Sequence, residues 1–247
     1  KFVDSVLTEL RWWMPRLQDQ QPVSTIFLGG GTPSALPPRA MQRLLNGIHQ
    51  MIPISPEVEW SIEANPATVD GDYCKLLLEC GVNRLSIGGQ SFVESELQML
   101  GRIHDAQTIA RTVETALQAG FRRVSVDLMY AVPGQTLESW LYSLESATRL
   151  GIRHISCYCL TLEEGTAMWA QTRSGKLPAV PEETQLQFMR FTRNWLRDRG
   201  LPPYEISNYA APGEECRHNL VYWESGNYLG LGPAAASNLA GFRWRNA

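Results

Sequence analysis

Five short apolar segments, each followed by a stretch of helical periodicity, constrain the fold of this chain more than any other feature. In the helical stretches apolar residues recur three and four positions apart, as at Met41, Leu44, Leu45 and Ile48, which is the spacing of one buried helix face. Regular alternation of strand and helix predicts a parallel sheet with right-handed crossovers. The predicted strands cover residues 25–28, 58–62, 84–87, 124–129 and 154–158.

The sequence begins within a helical pattern formed by Phe2, Val6, Leu10, Trp13 and Leu17. In a β/α alternation a strand comes before each helix, so we expect a first strand that this sequence lacks. The five predicted strands and that missing one predict an α/β fold, a partial parallel (β/α)6 barrel of the TIM type. A doubly wound open sheet has the same periodicity and stays an alternative.

Several residues mark where the helices begin and end. Asp105 and Thr136 precede helical stretches and are predicted N-caps, because their side-chain oxygens can accept hydrogen bonds from the first free N–H groups. Gly81, Gly120 and Gly151 follow helical stretches, where the backbone commonly turns left-handed.

The strand–helix rhythm stops after residue 160. A long helix is predicted over residues 181–199 and a short strand over 204–207, followed by a tail rich in Gly, Asn and aromatic residues with irregular backbone. We therefore predict a barrel over residues 1–165 and an accessory α+β region over residues 166–247, which we expect to be truncated.

Composition limits the partners and the compartment. The net charge of −3 gives no overall attraction to nucleic acid or to an anionic membrane. No run of about 18 apolar residues is present, and the amino end has no signal-peptide pattern. The five cysteines have no disulfide spacing, so we predict structural thiols in a cytoplasmic protein.

Polar residues follow the predicted strands at their carboxyl ends, where parallel β/α folds bind ligands. The first strand ends in a glycine triplet at 29–31, and Glu63, Gln90 and Asp127 lie at the ends of the next three. A glycine triplet alone is usually a turn, and each carboxylate could pair with a neighbouring arginine. Convergence at one sheet end instead predicts a binding site. The pattern matches neither a dinucleotide fingerprint nor a phosphate loop, which disfavours NAD and ATP.

Five ordered motifs resemble those of the oxygen-independent coproporphyrinogen III oxidase family of radical S-adenosylmethionine (SAM) proteins. They are FLGGGTPS at 27–34, IEANP at 62–66, NRLSIGGQSF at 83–92, LGRIH at 100–104 and VDLMYAVPGQT at 126–136. The resemblance implies a radical SAM barrel and a SAM site. It assigns SAM binding to Gly30, Gly31, Thr32, Glu63, Gln90, Arg102 and Asp127.

Within this family, the segment RHNLVYW at 217–223 is similar to the HemW heme chaperones. That similarity implies heme contact by His218, Tyr222 and Trp223, and heme delivery to respiratory hemoproteins. It leaves open a homodimer and peripheral membrane association through partners. Cys216 is a second candidate ligand. Alternatively, His218 and Asn219 only hold a loop in place by hydrogen bonds. For the protein as a whole, one alternative is a true oxidase that decarboxylates coproporphyrinogen III, and another is a scaffold fragment that binds no ligand.

The sequence departs from the family pattern at several points. The family's [4Fe–4S] cluster motif, Cys-x-x-x-Cys-x-x-Cys, is expected before the first helix and is absent, and no other three cysteines replace it, so we assign no cluster ligand here. Gly89 stands where the family usually has Val, and Ala235 where relatives often have His. We also expect the family's terminal domain to be missing.

Overall fold

The computed structural model of the chain describes residues 1–17 and 21–247. Its main sheet has six strands in chain order, of which the first five are parallel to their neighbours and the sixth is antiparallel to the fifth. This half-barrel confirms the predicted α/β class and the five predicted strands. The strands are β1 Val23–Leu28, β2 Ile54–Ala64, β3 Arg84–Gln90, β4 Arg123–Tyr130, β5 His154–Cys159 and β6 Asn208–Ala210.

Most of the helices cover one face of this sheet, and their ends follow the predicted signals. The Asp105 side chain accepts a hydrogen bond from the Thr108 N–H at 2.7 Å, and Thr136 and Ser139 form a capping box. The helices are α1 Phe2–Trp13, α2 Pro38–Met51, α3 Gly71–Glu79, α4 Glu94–Met99, α5 Ala106–Ala119, α6 Leu137–Arg149, α7 Ala167–Arg173, α8 Glu182–Arg197 and α9 Arg217–Trp223; a hairpin joins β7 Ala236–Leu239 to β8 Phe242–Arg245.

The two faces of the sheet have opposite character, because successive side chains of a strand point to opposite sides. On the convex face the strands pack fully buried apolar side chains against the helices, for example Trp60 of β2 against the core that contains Trp140 of α6. The concave face is polar. The strand register aligns on it Thr25, Glu59, Ser61, Glu63, Arg84, Ser86, Arg123, Ser125, Asp127, His154 and Ser156.

Two predictions for the carboxyl-terminal part were wrong. Residues 204–207 are not a strand, because the Glu205 carboxylate accepts hydrogen bonds from the N–H groups of Ile206 and Ser207 and folds the segment into a local turn. The strand β6 follows it instead. The tail predicted as irregular contains the helix α9, and the β7–β8 hairpin follows it. Tertiary contacts hold α9, since its seven residues are too few to be stable alone.

The hydrophobic core continues past residue 165. The Phe188 ring of α8 stacks on Tyr130 of β4 at 6.3 Å, and the indole N–H of Trp140 donates to the Thr192 hydroxyl at 2.8 Å. Helix α8 and β6 therefore pack with the parallel strands. Over residues 1–17 and 21–247, the helices lack the combination of length and apolar character needed to cross a membrane.

Candidate functional site

The carboxyl ends of β1 and β2 meet in a hydrogen bond. The Gly30 N–H donates to Oε2 of Glu63 at 3.1 Å, and Gly30 has φ +82°. A Cβ at Gly29 would approach Phe27 Cε1 to 2.2 Å and Glu63 Oε1 to 2.8 Å, so glycine is required there for Glu63 to lie against the turn. At Gly30 and Gly31 a Cβ would meet no atom within 4 Å. This backbone edge is open to a ligand.

The ends of β3 and β4 complete the same rim. The Ser86 hydroxyl donates to the two carboxylate oxygens of Asp127 at 2.9 and 3.1 Å. Gly88 pairs with Asp127 across the sheet, and the Gln90 side-chain nitrogen lies 3.1 Å from where a Gly88 Cβ would stand. Gly30, Glu63, Gln90 and Asp127 thus lie at the same end of the sheet.

Backbone strain concentrates at this rim. Gln90, the last residue of β3, has φ +70°, and Ala131, directly after β4, has φ +61°. Side chains disfavour this left-handed region, and such residues cluster at binding and catalytic sites. The register between β3 and β4 also shifts between Gly88 and Gln90, an irregularity of the kind that re-aims side chains near binding sites.

Burial raises the pKa of both rim carboxylates, and the charge of Asp127 adds to the effect on Glu63. Burial, followed by the nearby Asp127 charge, raises the pKa of Glu63 to about 7 against the opposing effect of the Gly30 hydrogen bond. Burial also raises the pKa of Asp127, and hydrogen bonds from Ser156 and Ser86 oppose the rise. A cationic or hydroxyl-bearing ligand would stabilise the ionised form of both carboxylates, because its charge or its hydrogen bonds would replace the interactions with water that burial removes.

We expect the raised Glu63 pKa to appear in the pH dependence of stability. The folded state holds the Glu63 proton more tightly than the unfolded chain does, because the ordinary pKa of this carboxyl group is 4.5. Ionisation of Glu63 therefore opposes folding. The free energy of unfolding should fall as pH rises from about 4.5 to 7, by up to about 2 kcal/mol after allowance for solvent access. Denaturant titrations of Glu63→Gln across this range should give a flatter curve, whereas Glu57→Gln, at an exposed position of β2, should keep the wild-type slope. Equal slopes for both variants would contradict the assignment.

A buried carboxylate behind the rim braces the loops that follow β3 and β4. Glu96 is 5% exposed. Its Oε2 accepts hydrogen bonds from the Ser91 hydroxyl at 2.6 Å and the Gln135 amide at 2.9 Å, and its Oε1 accepts one from Ser139 at 2.6 Å. Ser91 follows Gln90, and Gln135 lies in the loop after Ala131. The network therefore fixes both strained strand ends.

The opposite end of the concave face holds a buried ion pair that the sequence did not predict. Glu59 is fully buried, and its Oε2 accepts from Arg84 Nε at 3.1 Å. Its Oε1 accepts from the His218 backbone N–H at 3.0 Å and the Cys216 thiol at 3.4 Å. Arg84 also donates to the Glu214 carbonyl at 3.1 Å. The pair thus anchors the start of α9 inside the half-barrel.

Helix α9 brings His218 onto the concave face beside β1. The His218 ring stacks on Phe27 with centroids 5.3 Å apart, and its Nδ1 lies 2.9 Å from the Thr25 hydroxyl. Its Nε2 lies 2.8 Å from the Tyr222 hydroxyl, one helical turn along. Burial lowers the pKa of His218, although nearby Glu59 opposes the change. The imidazole is therefore neutral at physiological pH.

Of the other predicted site residues, Thr32, Arg102 and Trp223 lie outside these contacts, whereas Cys216 lies beside Glu59. Thr32 and Arg102 are exposed, and neither side chain has a hydrogen bond or ion pair with the described part of the chain. Trp223 is 52% exposed and, five residues after His218, points about 140° away around the helix. Cys216 is buried against Glu59, and burial raises the pKa of its thiol to about 11, which disfavours the thiolate that metals bind.

All five cysteines are free thiols. Among the residues that the structure describes, no three His, Cys, Asp or Glu side chains are grouped so that they could hold a metal ion. These residues do not fit a [4Fe–4S] cluster, whose ligands are thiolates. The open glycine edge and the two carboxylates fit SAM, which carries an ammonium group and ribose hydroxyls.

Comparison with known proteins shows similarity to one family of sequences. Residues 8–147 match the Radical SAM superfamily. The chain is 42% identical over 214 residues to Heme chaperone HemW of Escherichia coli, covering 86% of this chain and 55% of that protein. It is 36% identical over 228 residues to the Bacillus subtilis HemW, covering 92% and 60%.

A mouse protein, Radical S-adenosyl methionine domain-containing protein 1, mitochondrial, is 41% identical over 230 residues, covering 93% of this chain and 52% of the mouse protein. The chain thus spans about half to three-fifths of the length of these relatives.

A solved structure shows the same fold. Coproporphyrinogen III oxidase (HemN) from Escherichia coli superposes with a TM-score of 0.81 at 24% identity, covering 97% of this chain and 57% of that one. Three observations indicate the same family: the half-barrel fold, the rim at the carboxyl ends of its strands, and the sequence matches. This chain belongs to the radical SAM superfamily, and its sequence is similar to the HemW heme chaperones over most of its length.

Proposed function

We propose that this chain supplies the SAM-binding half-barrel and the heme-contacting helix of a heme chaperone. The observation that carries the proposal is the placement of His218, a neutral imidazole on the concave face, in a chain similar to proteins named heme chaperones. A neutral imidazole is a common iron ligand. The exposed Tyr222 beside it offers aromatic surface to a porphyrin.

At the rim, Gly30 and Gly31 would receive SAM along their open backbone. Glu63 and Asp127 would accept hydrogen bonds from its ammonium and ribose hydroxyl groups. Bound SAM supplies radical chemistry in this superfamily when a reduced cluster is present. No described residue fits the cluster, so the proposal assigns cluster binding to none of them.

The proposed cargo is heme, held for transfer to respiratory hemoproteins, and the proposed compartment is the cytoplasm. The true oxidase is the second candidate, because HemN shares the fold. The two functions differ in their product. A chaperone releases heme unchanged, whereas an oxidase removes two carboxyl groups from coproporphyrinogen III.

Hemin titration followed by the Soret band tests the heme proposal. We expect wild-type protein to bind hemin and His218→Ala to bind at least about tenfold more weakly. His49→Ala, at an exposed histidine of α2, should bind like the wild type. In a protein that also carries the family's cluster-binding segment, with the cluster reconstituted, anaerobic incubation with reductant and coproporphyrinogen III should give no protoporphyrinogen. Undiminished binding by His218→Ala, or formation of that product, would refute the chaperone assignment.

A further inference from the structure

His218 is held at three points by side chains that belong to two strands. Glu59 of β2 accepts a hydrogen bond from its backbone N–H at 3.0 Å. Thr25 and Phe27 of β1 face the ring, the former 2.9 Å from Nδ1 and the latter stacked at 10° to the ring plane. These contacts fix where the side chain begins, the plane of its ring and the direction of Nε2.

The Thr25 contact bears on which nitrogen can bind iron. A neutral imidazole carries one proton, so iron ligation by Nε2 requires that proton on Nδ1. Nδ1 of His218 faces the Thr25 hydroxyl, which can accept a hydrogen bond from it. Partners of this kind fix the tautomer of metal-binding histidines and make the other nitrogen more basic.

The Nε2 contact bears on when the iron can bind. The Tyr222 hydroxyl lies 2.8 Å from Nε2 and can donate to the lone pair that iron would use. Tyr222 is 46% exposed, and its ring packs edge-on against Tyr228 at 4.6 Å. Because the side chain borders solvent, it can turn away without opening the core.

We propose that Thr25 is a positioning residue that presets His218 as an Nε2 ligand, and that Tyr222 is a removable cap on that nitrogen. The inference rests on the proposed heme function and adds to it how the ligand is prepared. Thr25 acts through His218 and does not touch the heme. Heme binding exchanges one partner of Nε2, the tyrosine hydroxyl, for another, the iron.

The test compares Thr25→Val, which keeps the side-chain shape but removes the acceptor, with Thr25→Ser, which keeps it. In hemin titrations Thr25→Val should raise Kd about tenfold and Thr25→Ser by less than about twofold. Resonance Raman spectra of the ferrous complex should show a lower iron–histidine stretching frequency for Thr25→Val alone. A purely structural role would not shift this frequency. Should Thr25→Val fold poorly by circular dichroism, Thr25→Cys, whose thiol is a weak acceptor, replaces it.

Tyr222→Phe tests the cap. Loss of one hydrogen bond to Nε2 should lower the hemin Kd about fivefold. Weaker binding by Tyr222→Phe, which keeps the ring, would show that the hydroxyl stabilises the complex and would overturn the cap. An unchanged Kd and stretching frequency in Thr25→Val would overturn the positioning role. These results are distinct from failure of the proposed function, which appears as undiminished hemin binding by His218→Ala.

Discussion

Replacing Arg84 by Met should lower the free energy of unfolding by about 3–5 kcal/mol, because it leaves the Glu59 charge buried without its closest cation. Arg123 lies 3.8 Å from the same carboxylate and is partly exposed, so it replaces Arg84 only in part. The same change releases the Glu214 carbonyl, which Arg84 holds at the start of α9. Chemical denaturation measures the loss.

The chain offers a matched control in Arg149, which forms an exposed ion pair with Glu145 at 2.8 Å. Arg149→Met should change stability by no more than about 0.5 kcal/mol. Adding Glu59→Gln to Arg84→Met should recover part of the loss, since a neutral amide leaves no unpaired charge. Similar effects of Arg84→Met and Arg149→Met would show that the buried pair does not anchor the fold.

Replacing Gly89 by Val should cost about 3 kcal/mol of stability. A Cβ at this position would lie 3.0 Å from Val126 Cγ1 and 3.2 Å from Ile109 Cγ2. Both neighbours are fully buried, so neither can move without displacing the core between β3 and α5. In this chain, the side chains of Val126 and Ile109 occupy the space that a valine would take.

A double-mutant cycle isolates this contact. Ile109→Ala alone should destabilise by about 2–5 kcal/mol through the cavity that it leaves. Combined with Gly89→Val it should cost about 1–3 kcal/mol less than the sum of the two single changes, because the valine fills part of that cavity. Strictly additive losses, measured by thermal or denaturant unfolding, would show that the two positions do not share the space.

The sequence predicts the sheet well because each strand is a local pattern. The five apolar segments became β1 to β5, and Asp105 and Thr136 cap helices as predicted. The rim follows from the same logic, since parallel strands deliver their carboxyl ends to one side. Glu63 and Asp127 could therefore be placed near each other without coordinates. Their binding of SAM stays a prediction.

The remaining features depend on contacts between residues distant in sequence. Glu59 and His218 are 159 residues apart, and no local pattern links a strand carboxylate to the start of a seven-residue helix. The polar face of β2 was visible in principle, because Glu59 and Glu63 alternate with Trp60 and Ile62.

SAM binding at the rim tests the central claim most directly. Equilibrium dialysis with labelled SAM should show that Glu63→Gln and Asp127→Asn each weaken binding by at least about tenfold. Asp72→Asn, at a carboxylate with 97% side-chain exposure, should bind SAM as the wild type does. Equal SAM affinity in wild-type protein and in both rim variants would contradict the site.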